Sequence, residues 1–386
     1  MLHTVAIRGY RSMREVVVPL TGLTVVTGAN GTGKSSVYRA LRLLADCGRG
    51  EVTGSLAREG GLESVLWAGP EQVDGARRTG QSQGTTRTRP VSLELGFASD
   101  DFGYLIDLGL PQHAGPGSFF ARDPEIKREA VFAGPRLRPS SALVRRGRDY
   151  AEVAAESGRG FEELTRSLPP YRSVLAEYAH RGALPELATV RDRLRDWRFY
   201  DGFRVDADAP ARRPRVGTRT PVLSDDGGDL AAAIQTIVEA GFDELPRAIA
   251  DAFDGAKVSV AVHDGLFELQ LHQRGMLRAL RAAELSDGTL RFLLWAAALL
   301  SPRPPSLMVL NEPETSLHPD LLVPLATMIR AAEAGTQVVV VTHSHAMRDQ
   351  LDTDDSSEIE LFKEWGETLV TGQTMLTAPP WDWGKR

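Results

Sequence analysis

The sequence predicts an α/β fold: a mixed sheet, an antiparallel β portion and a partly helical insertion. Three observations predict it. Residues 23–27, Leu-Thr-Val-Val-Thr, form a compact β-branched run that leads into a glycine-rich loop and then a helical pattern. Residues 306–310 and 337–341 repeat that strand-length apolar pattern far downstream, each followed by polar residues able to do chemistry. Between the two ends, apolar segments joined by short polar turns read as antiparallel hairpins.

Taken in order, residues 5–7 and 15–18 read as short strands around Gly9-Tyr10-Arg11-Ser12. Residues 35–44 read as a helix because Val37, Ala40, Leu41 and Leu44 share one face. Residues 74–90 are polar and nearly free of apolar side chains, the signature of a mobile loop. Residues 91–97 and 102–108 flank Ala98-Ser99-Asp100-Asp101 as a hairpin. Residues 150–198 carry helical patterns broken at Pro169-Pro170, Gly182 and Pro185, and residues 207–228 read as an irregular connection. Residues 230–240 form an amphipathic helix that Asp229 is expected to cap. Residues 258–262 and 266–271, joined through His263-Asp264-Gly265, make a second hairpin. Residues 1–110 and 222–386 are therefore read as one discontinuous head, with 111–221 as an inserted, partly helical, Arg-rich subdomain.

A chain of 386 residues can bury one large core or two ordinary ones. Its single cysteine, Cys47, excludes an intramolecular disulfide and a Cys-based metal site, and fits the reducing cytoplasm expected as its location. The opening Met1-Leu2-His3-Thr4-Val5 lacks the build of a signal peptide, and the longest apolar run, 292–300, is too short for a membrane span. The net charge of −6 is uneven: residues 122–219 hold 21 Lys and Arg against 15 Asp and Glu, a net of +6. Such a basic middle is a candidate nucleic-acid surface, but its interspersed acids favour a solvated Arg-rich face.

The chemistry lies in four motifs. Gly28-Ala29-Asn30-Gly31-Thr32-Gly33-Lys34-Ser35 fits G-x-x-x-x-G-K-[ST], a phosphate-binding loop (P-loop), and Ser36 extends it into the helix. Glycines let successive backbone N–H groups turn toward phosphate oxygens, and the helix N-terminus adds its field. Lys34 is expected at the outer phosphates and Ser35 at Mg²⁺. Residues 306–310 end in Asn311-Glu312-Pro313-Glu314. Glu312 fits the acid that orients or deprotonates an attacking water. Asn311 fits the position that holds the metal's water shell, yet it is uncharged, so weaker Mg²⁺ retention is expected. Ser286 and Gly288 of Leu285-Ser286-Asp287-Gly288-Thr289 precede an apolar helix and suit a second anion site, although the pentapeptide alone also reads as a helix cap. His343 follows residues 337–341 and is suited to sense a terminal phosphate, with His345 as the competing histidine.

With these four elements in order, the chain resembles ABC-type ATPase heads of the RecF/SMC/Rad50 and OLD-like branch, and is most similar to the bacterial predicted AAA ATPases of that branch. The matching stretches are 5–12 with 23–44, 285–300 and 306–344, with looser support from Trp197-Arg198-Phe199-Tyr200. The resemblance implies a P-loop NTPase of ABC type that binds ATP and Mg²⁺ and forms a head-to-head homodimer sandwiching two nucleotides. It further implies that Ser286 and Gly288 touch the γ-phosphate held by the other copy's loop, and that Tyr10, Arg11 and Ser12 lie near the nucleotide. Two positions depart from the pattern. Asn311 replaces the usual Asp, and His318 stands where transporter ATPases have the Asp of their D-loop, although Thr315-Ser316-Leu317-His318-Pro319 looks like the OLD-like and SMC-related branch. None of Gln72, Gln81 and Gln83 suits a Q-loop. The stretch after His345 is too short for the nuclease domain of OLD proteins, and Asp352, Asp354, Asp355 and Glu358 read as a solvated loop.

Two functional readings stay open. One is an ATP-hydrolysing motor or switch acting on DNA or on a partner effector such as a nuclease, in DNA repair or phage defence. The other is a non-catalytic ATP sensor. A transporter subunit is disfavoured by the distance in sequence from Lys34 to Ser286, and no membrane partner is expected.

Overall fold

The computed structural model describes residues 1–70, 91–111, 118–157, 159–179, 184–374 and 376–384. The loop expected at 74–90, with Gln72, Gln81 and Gln83, lies outside the described residues, as does Gly182. The chain divides into two compact units.

The first unit comprises Met1–Thr21, Val26–Trp197 and Ile359–Arg386. It is organised on an antiparallel sheet in the order Met13–Pro19, Leu2–Tyr10, Leu93–Ser99, Phe102–Gly109, Glu125–Ala133, Ala142–Arg146, Ala151–Ala154 and Phe161–Thr165. The strands expected at 5–7 and 15–18 are present and longer than local pattern suggested, and the hairpin expected at 91–108 is present. Val5 pairs with Val18 on one side and Phe97 on the other, so the strand is fixed from both edges. Residues 151–154 and 161–165 correct the helical expectation: they are strands, and among the described residues helices begin only at Val174–Tyr178 and Pro185–Asp196. The cause is cross-strand pairing, which local periodicity does not record. Arg145 meets Glu152 at 2.8 Å and lies over the Phe161 ring at 3.6 Å.

The helix after the glycine-rich loop, Lys34–Arg49, runs one turn beyond its expected end. Gly48 permits this, because a Cβ there would lie 2.6 Å from Leu194 of the helix Pro185–Asp196. Gly50, in the left-handed region at φ 76°, stops the helix and donates its N–H to Asp46 and Cys47 carbonyls.

The second unit comprises Gly22–Val25 and Arg198–Glu358. Its strands Arg198–Asp201, Leu307–Asn311 and Gln337–Val341 run parallel, with Asp201 opposite Asn311 and Asn311 opposite Val341. The start of the strand Leu23–Gly28 follows, where Val338 N–H donates to Gly22 O at 2.8 Å. Leu307–Asn311 and Gln337–Val341 are apolar and buried along most of their length, as strands covered on both faces must be, and Arg198–Asp201 buries Phe199 and Tyr200. The helices Leu230–Glu239, Asp287–Leu299 and Leu322–Ala332 share one core with them through Ile234, Phe292, Trp295, Met308, Ile329 and Val340. Lys257–His263 and Leu266–His272 form the second expected hairpin, turned by Asp264 and Gly265 at φ 49° and 77°.

Two further expectations are corrected. Asp229 does not cap the helix Leu230–Glu239; its carboxylate accepts from the Ser224 N–H and hydroxyl instead, a local turn competing for the acceptor. Glu358 lies in the strand Ser356–Glu364 and not in the acidic loop. Of the expected insertion 111–221, residues up to Trp197 group with the first unit and those from Arg198 with the second. Its described part contains four strands of the antiparallel sheet besides its helices. Among the described residues no helix is long and apolar enough to cross a membrane.

Candidate functional site

The strand Leu23–Gly28 hands over to the loop at Gly28, φ 137°, and in the first unit the loop turns at Gly31, φ 80°, and Gly33, φ 108°. These are conformations that glycine adopts without strain. The Thr32 hydroxyl closes the turn on Ala29 O at 2.8 Å. Lys34 folds back over it, its Nζ donating to Gly28 O at 2.6 Å and Ala29 O at 3.0 Å. Ala29, Asn30, Gly31 and Ser35 are exposed, whereas Thr32, Lys34 and Ser36 are buried.

This arrangement fits a phosphate chain. The 16-residue helix has no side-chain cap at its N-terminus and no acid in its first turn. No carboxylate in the first turn offsets its dipole there. A Cβ at Gly31 would meet nothing within 4 Å, so the loop's outer face is open. The exposed Ser35 hydroxyl at the helix start suits a magnesium ligand, and Lys34 supplies a positive charge to outer phosphates.

Two segments distant in sequence brace the loop. A Cβ at Gly28 would lie 2.2 Å from Leu361 O, and one at Gly33 would lie 2.6 Å from Thr368 Oγ1. The Thr368 hydroxyl reaches both Thr32 O and Ser12 Oγ at 2.7 Å. Ser12 is thus brought beside the loop. Arg11 is engaged by Glu59 at 2.6 Å, and the same carboxylate accepts from the Tyr10 hydroxyl at 2.8 Å. Burial, then the Glu59 charge, pushes the Tyr10 phenol well above its ordinary range. Thr368 and Leu361 carry no motif, so the sequence offered no signal for them.

In the second unit the strand Leu307–Asn311 ends in a compact polar group. Glu312 sits at φ 48°, and its N–H donates to Val341 O at 2.7 Å. A non-glycine residue in this region is unusual, and here it turns the chain directly after the strand. His343 Nδ1 lies 3.4 Å from Glu312 and 3.8 Å from Glu314. The buried Glu314 also accepts from the Thr342 hydroxyl, and that hydroxyl accepts from Ser344 N–H at 2.9 Å. Ser344 then caps the helix His345–Leu351 through Met347 N–H. The predicted Glu312 and His343 are therefore neighbours, while His345 enters the helix. Asn311 Nδ2 donates to Asp201 Oδ1 at 2.6 Å, and its own Oδ1 is sheltered with no partner among the described residues. Asp201 was not singled out from sequence, because only the strand register brings it to Asn311.

The Ser286 turn lies in the same unit. Ser286 is the N-cap of Asp287–Leu299, its hydroxyl accepting from Thr289 N–H at 3.2 Å, so the helix-cap reading is correct as geometry. Ser286 and Gly288 remain at least partly exposed, and a Cβ at Gly288 would find only Ser316 O, at 3.6 Å. The buried Arg212 holds the turn from behind. It donates to Val205 O, Ala282 O and Leu285 O and meets Asp287 Oδ1 at 2.7 Å. Arg291, one turn into the helix, donates to Thr315 O at 3.0 Å, and burial lowers its guanidinium below the ordinary value. His318 is exposed and accepts from Asp320 N–H at 3.3 Å.

A family described as "AAA domain, putative AbiEii toxin, Type IV TA system" matches residues 23–347. Among solved structures, an SMC head bound to the C-winged helix domain of ScpA superposes with a TM-score of 0.50 at 14% identity, covering 97% of this chain and 98% of that one. An SMC head domain with an extended coiled coil, bound to the C-terminal domain of ScpA and derived from Pyrococcus furiosus, gives a TM-score of 0.51 at 13% identity, covering 98% and 97%. At such identities the likeness is one of fold. No curated protein matches the chain. The matched span runs from the strand before the phosphate loop through the Ser286 turn to Glu312 and His343, so the chain belongs to this AAA-domain family and has the fold of an ABC-type, SMC-like P-loop ATPase head.

Proposed function

We propose that this chain binds and hydrolyses ATP with Mg²⁺, pairs head-to-head with a second copy when ATP is bound, and uses that closure to act on DNA or on a partner effector. One observation carries the hydrolytic part: Glu312 is turned out at the end of a buried parallel strand, with His343 beside its carboxylate at 3.4 Å. A carboxylate fixed there can take a proton from water, and an adjacent imidazole can orient it or meet a terminal phosphate. In this reading the N–H groups of residues 28–36 bind the phosphates and Lys34 neutralises the outer ones. Bound Mg²⁺, held by Ser35, supplies charge neutralisation to the phosphates. Ser286 and Gly288 offer a hydroxyl and a helix N-terminus to the nucleotide of the other copy. The assignment of 111–221 as an addition to the head belongs to the same proposal.

Phosphate release tests the reading. Wild type should turn over ATP, Glu312→Gln should bind ATP but hydrolyse at least ~100-fold more slowly, and Lys34→Ala should lose binding. Equal near-zero rates in wild type and Glu312→Gln would favour the second reading, an ATP sensor, which the uncharged Asn311 supports. Ser286→Arg should keep nucleotide binding and lose ATP-dependent dimers in light scattering; dimers that persist would reject the shared pocket.

The family's description as an AbiEii-type toxin of a Type IV TA system supports the defence class over DNA repair. A DNA partner would be recognised by binding that weakens steeply with salt. A protein effector would be captured only in the ATP-closed state.

A further inference from the structure

We propose that Glu314 is a positioning residue: its buried carboxylate, anchored by Thr342, keeps a proton on His343 Nδ1 and so holds that ring in place beside Glu312. The inference rests on the reading of Glu312 and His343 as parts of an ATPase, and every residue it uses lies in the second unit. The side chains of Glu312 and His343 are 39% and 49% exposed, so water competes with the contact between them. The Glu314 side chain, by contrast, is 7% exposed. Its carboxylate accepts from the Thr342 hydroxyl, and its backbone carbonyl accepts from Leu317 N–H at 3.1 Å. Thr342 is fully buried, and its hydroxyl oxygen also accepts from Ser344 N–H at 2.9 Å. His343 therefore stands between two residues that the same hydroxyl ties to Glu314.

The anchored carboxylate faces the ring. His343 Nδ1 lies 3.8 Å from Glu314 Oε1, the oxygen that also takes the Thr342 hydroxyl. That distance is too long for a hydrogen bond, so the attraction is electrostatic, and the burial of Glu314 limits its screening. No Arg or Lys pairs with Glu314 among the described residues, and its Oε2 is sheltered without a hydrogen-bond partner there. The charge is thus left to act on the imidazole. A carboxylate only accepts, so it favours a proton on Nδ1, the nitrogen facing it, and leaves Nε2 on the far side of the ring for the reaction. The two carboxylates then divide their duties by burial: the sheltered Glu314 orients the histidine, and the more exposed Glu312 stays available to water.

The test uses the full chain labelled with ¹⁵N-histidine at about pH 8.5, where an ordinary imidazole is neutral. Long-range ¹H–¹⁵N spectra report which ring nitrogen is protonated, and His343→Gln identifies the signals of His343. Wild type should carry the proton on Nδ1. Glu314→Met, which keeps the stem and removes both oxygens, should move it to Nε2. In phosphate release the same variant should lower kcat roughly tenfold or more with little change in KM, and should lower nothing further in a His343→Ala background. If Glu314→Met fails to fold by circular dichroism, Thr342→Val, which cuts only the anchor, takes its place with the same expected result. A wild-type proton on Nε2, or one that stays on Nδ1 in the folded variant, overturns the proposal. So does a loss of kcat equally large in the His343→Ala background, which leaves Glu314 as a structural tie between two turns. Failure of the underlying ATPase reading looks different: wild type then releases no phosphate, while the His343 ring still decides whether Glu314 holds it.

Discussion

The Thr368 hydroxyl donates to the carbonyl of Thr32 at 2.7 Å, so a side chain near one end of the sequence holds the phosphate loop near the other. The same oxygen meets Ser12 Oγ at 2.7 Å, and Thr368 N–H donates to Ser12 O at 2.7 Å. Thr368→Val removes the hydroxyl and keeps the shape. A net hydrogen bond contributes about 1 kcal/mol, so ATP should bind roughly fivefold more weakly. Titration of a fluorescent ATP analogue measures this, with circular dichroism reporting an unchanged fold. Undiminished affinity would mean that the loop keeps its conformation without the brace.

Arg212 reaches five backbone carbonyls and the Asp287 carboxylate from a buried position behind the Ser286 turn. Arg212→Met retains the stem and removes every donor, leaving sheltered carbonyls unsatisfied. A loss of about 2–4 kcal/mol in folding stability is expected. Because the turn is what loosens, ATP-dependent dimerisation should fall further than monomer nucleotide affinity. Urea unfolding and light scattering measure the two effects separately.

Glu129 and Arg146 form an ion pair at 3.2 Å with both side chains 0% exposed. Glu129 also accepts from Tyr104 and Ser173 hydroxyls, both at 2.6 Å, and from Val174 N–H at 2.8 Å. Arg146→Met strands the carboxylate in the core and should cost about 3–5 kcal/mol. Replacing both partners by apolar residues should cost less than this single change. Chemical denaturation of the two variants decides it.

Hydrogen bonds from Arg278, then from the Arg281 N–H, lower the Glu284 carboxyl from its ordinary 4.5 to about 2. The folded value lies below the unfolded one. Its stabilising effect is therefore complete above about pH 4.5 and is lost as pH falls through about 2. Carboxyl ¹³C chemical shifts should give a midpoint near 2 in the native chain. Arg278→Met should move that midpoint up toward the ordinary value; a midpoint already near 4.5 in the native chain would contradict the geometry.

Much of the fold was legible because its signals are local. The run 23–27, the glycines after it and the apolar face of 35–44 lie within one strand–loop–helix unit, and the structure follows them. Both hairpins were readable from turn residues flanked by apolar runs. Residues 151–165 were not, since their strands exist through pairing with Ala142–Arg146 and with one another rather than through a clean alternation. Asp229 misled for a related reason: a good capping residue was taken by a nearer donor.

The sequence by itself determined the motifs and their order: the glycine-rich loop of residues 28–35 comes first, and Ser286, Glu312 and His343 follow it. Each of those readings depends on residues within a few positions of one another. Only the tertiary structure decided which side chains support them: Thr368 on Thr32, Arg212 behind Ser286 and Asp201 on Asn311. Those pairs are set by strand register and by the packing of buried elements, and a hydrogen bond between residues 110 positions apart leaves no periodic trace in the chain.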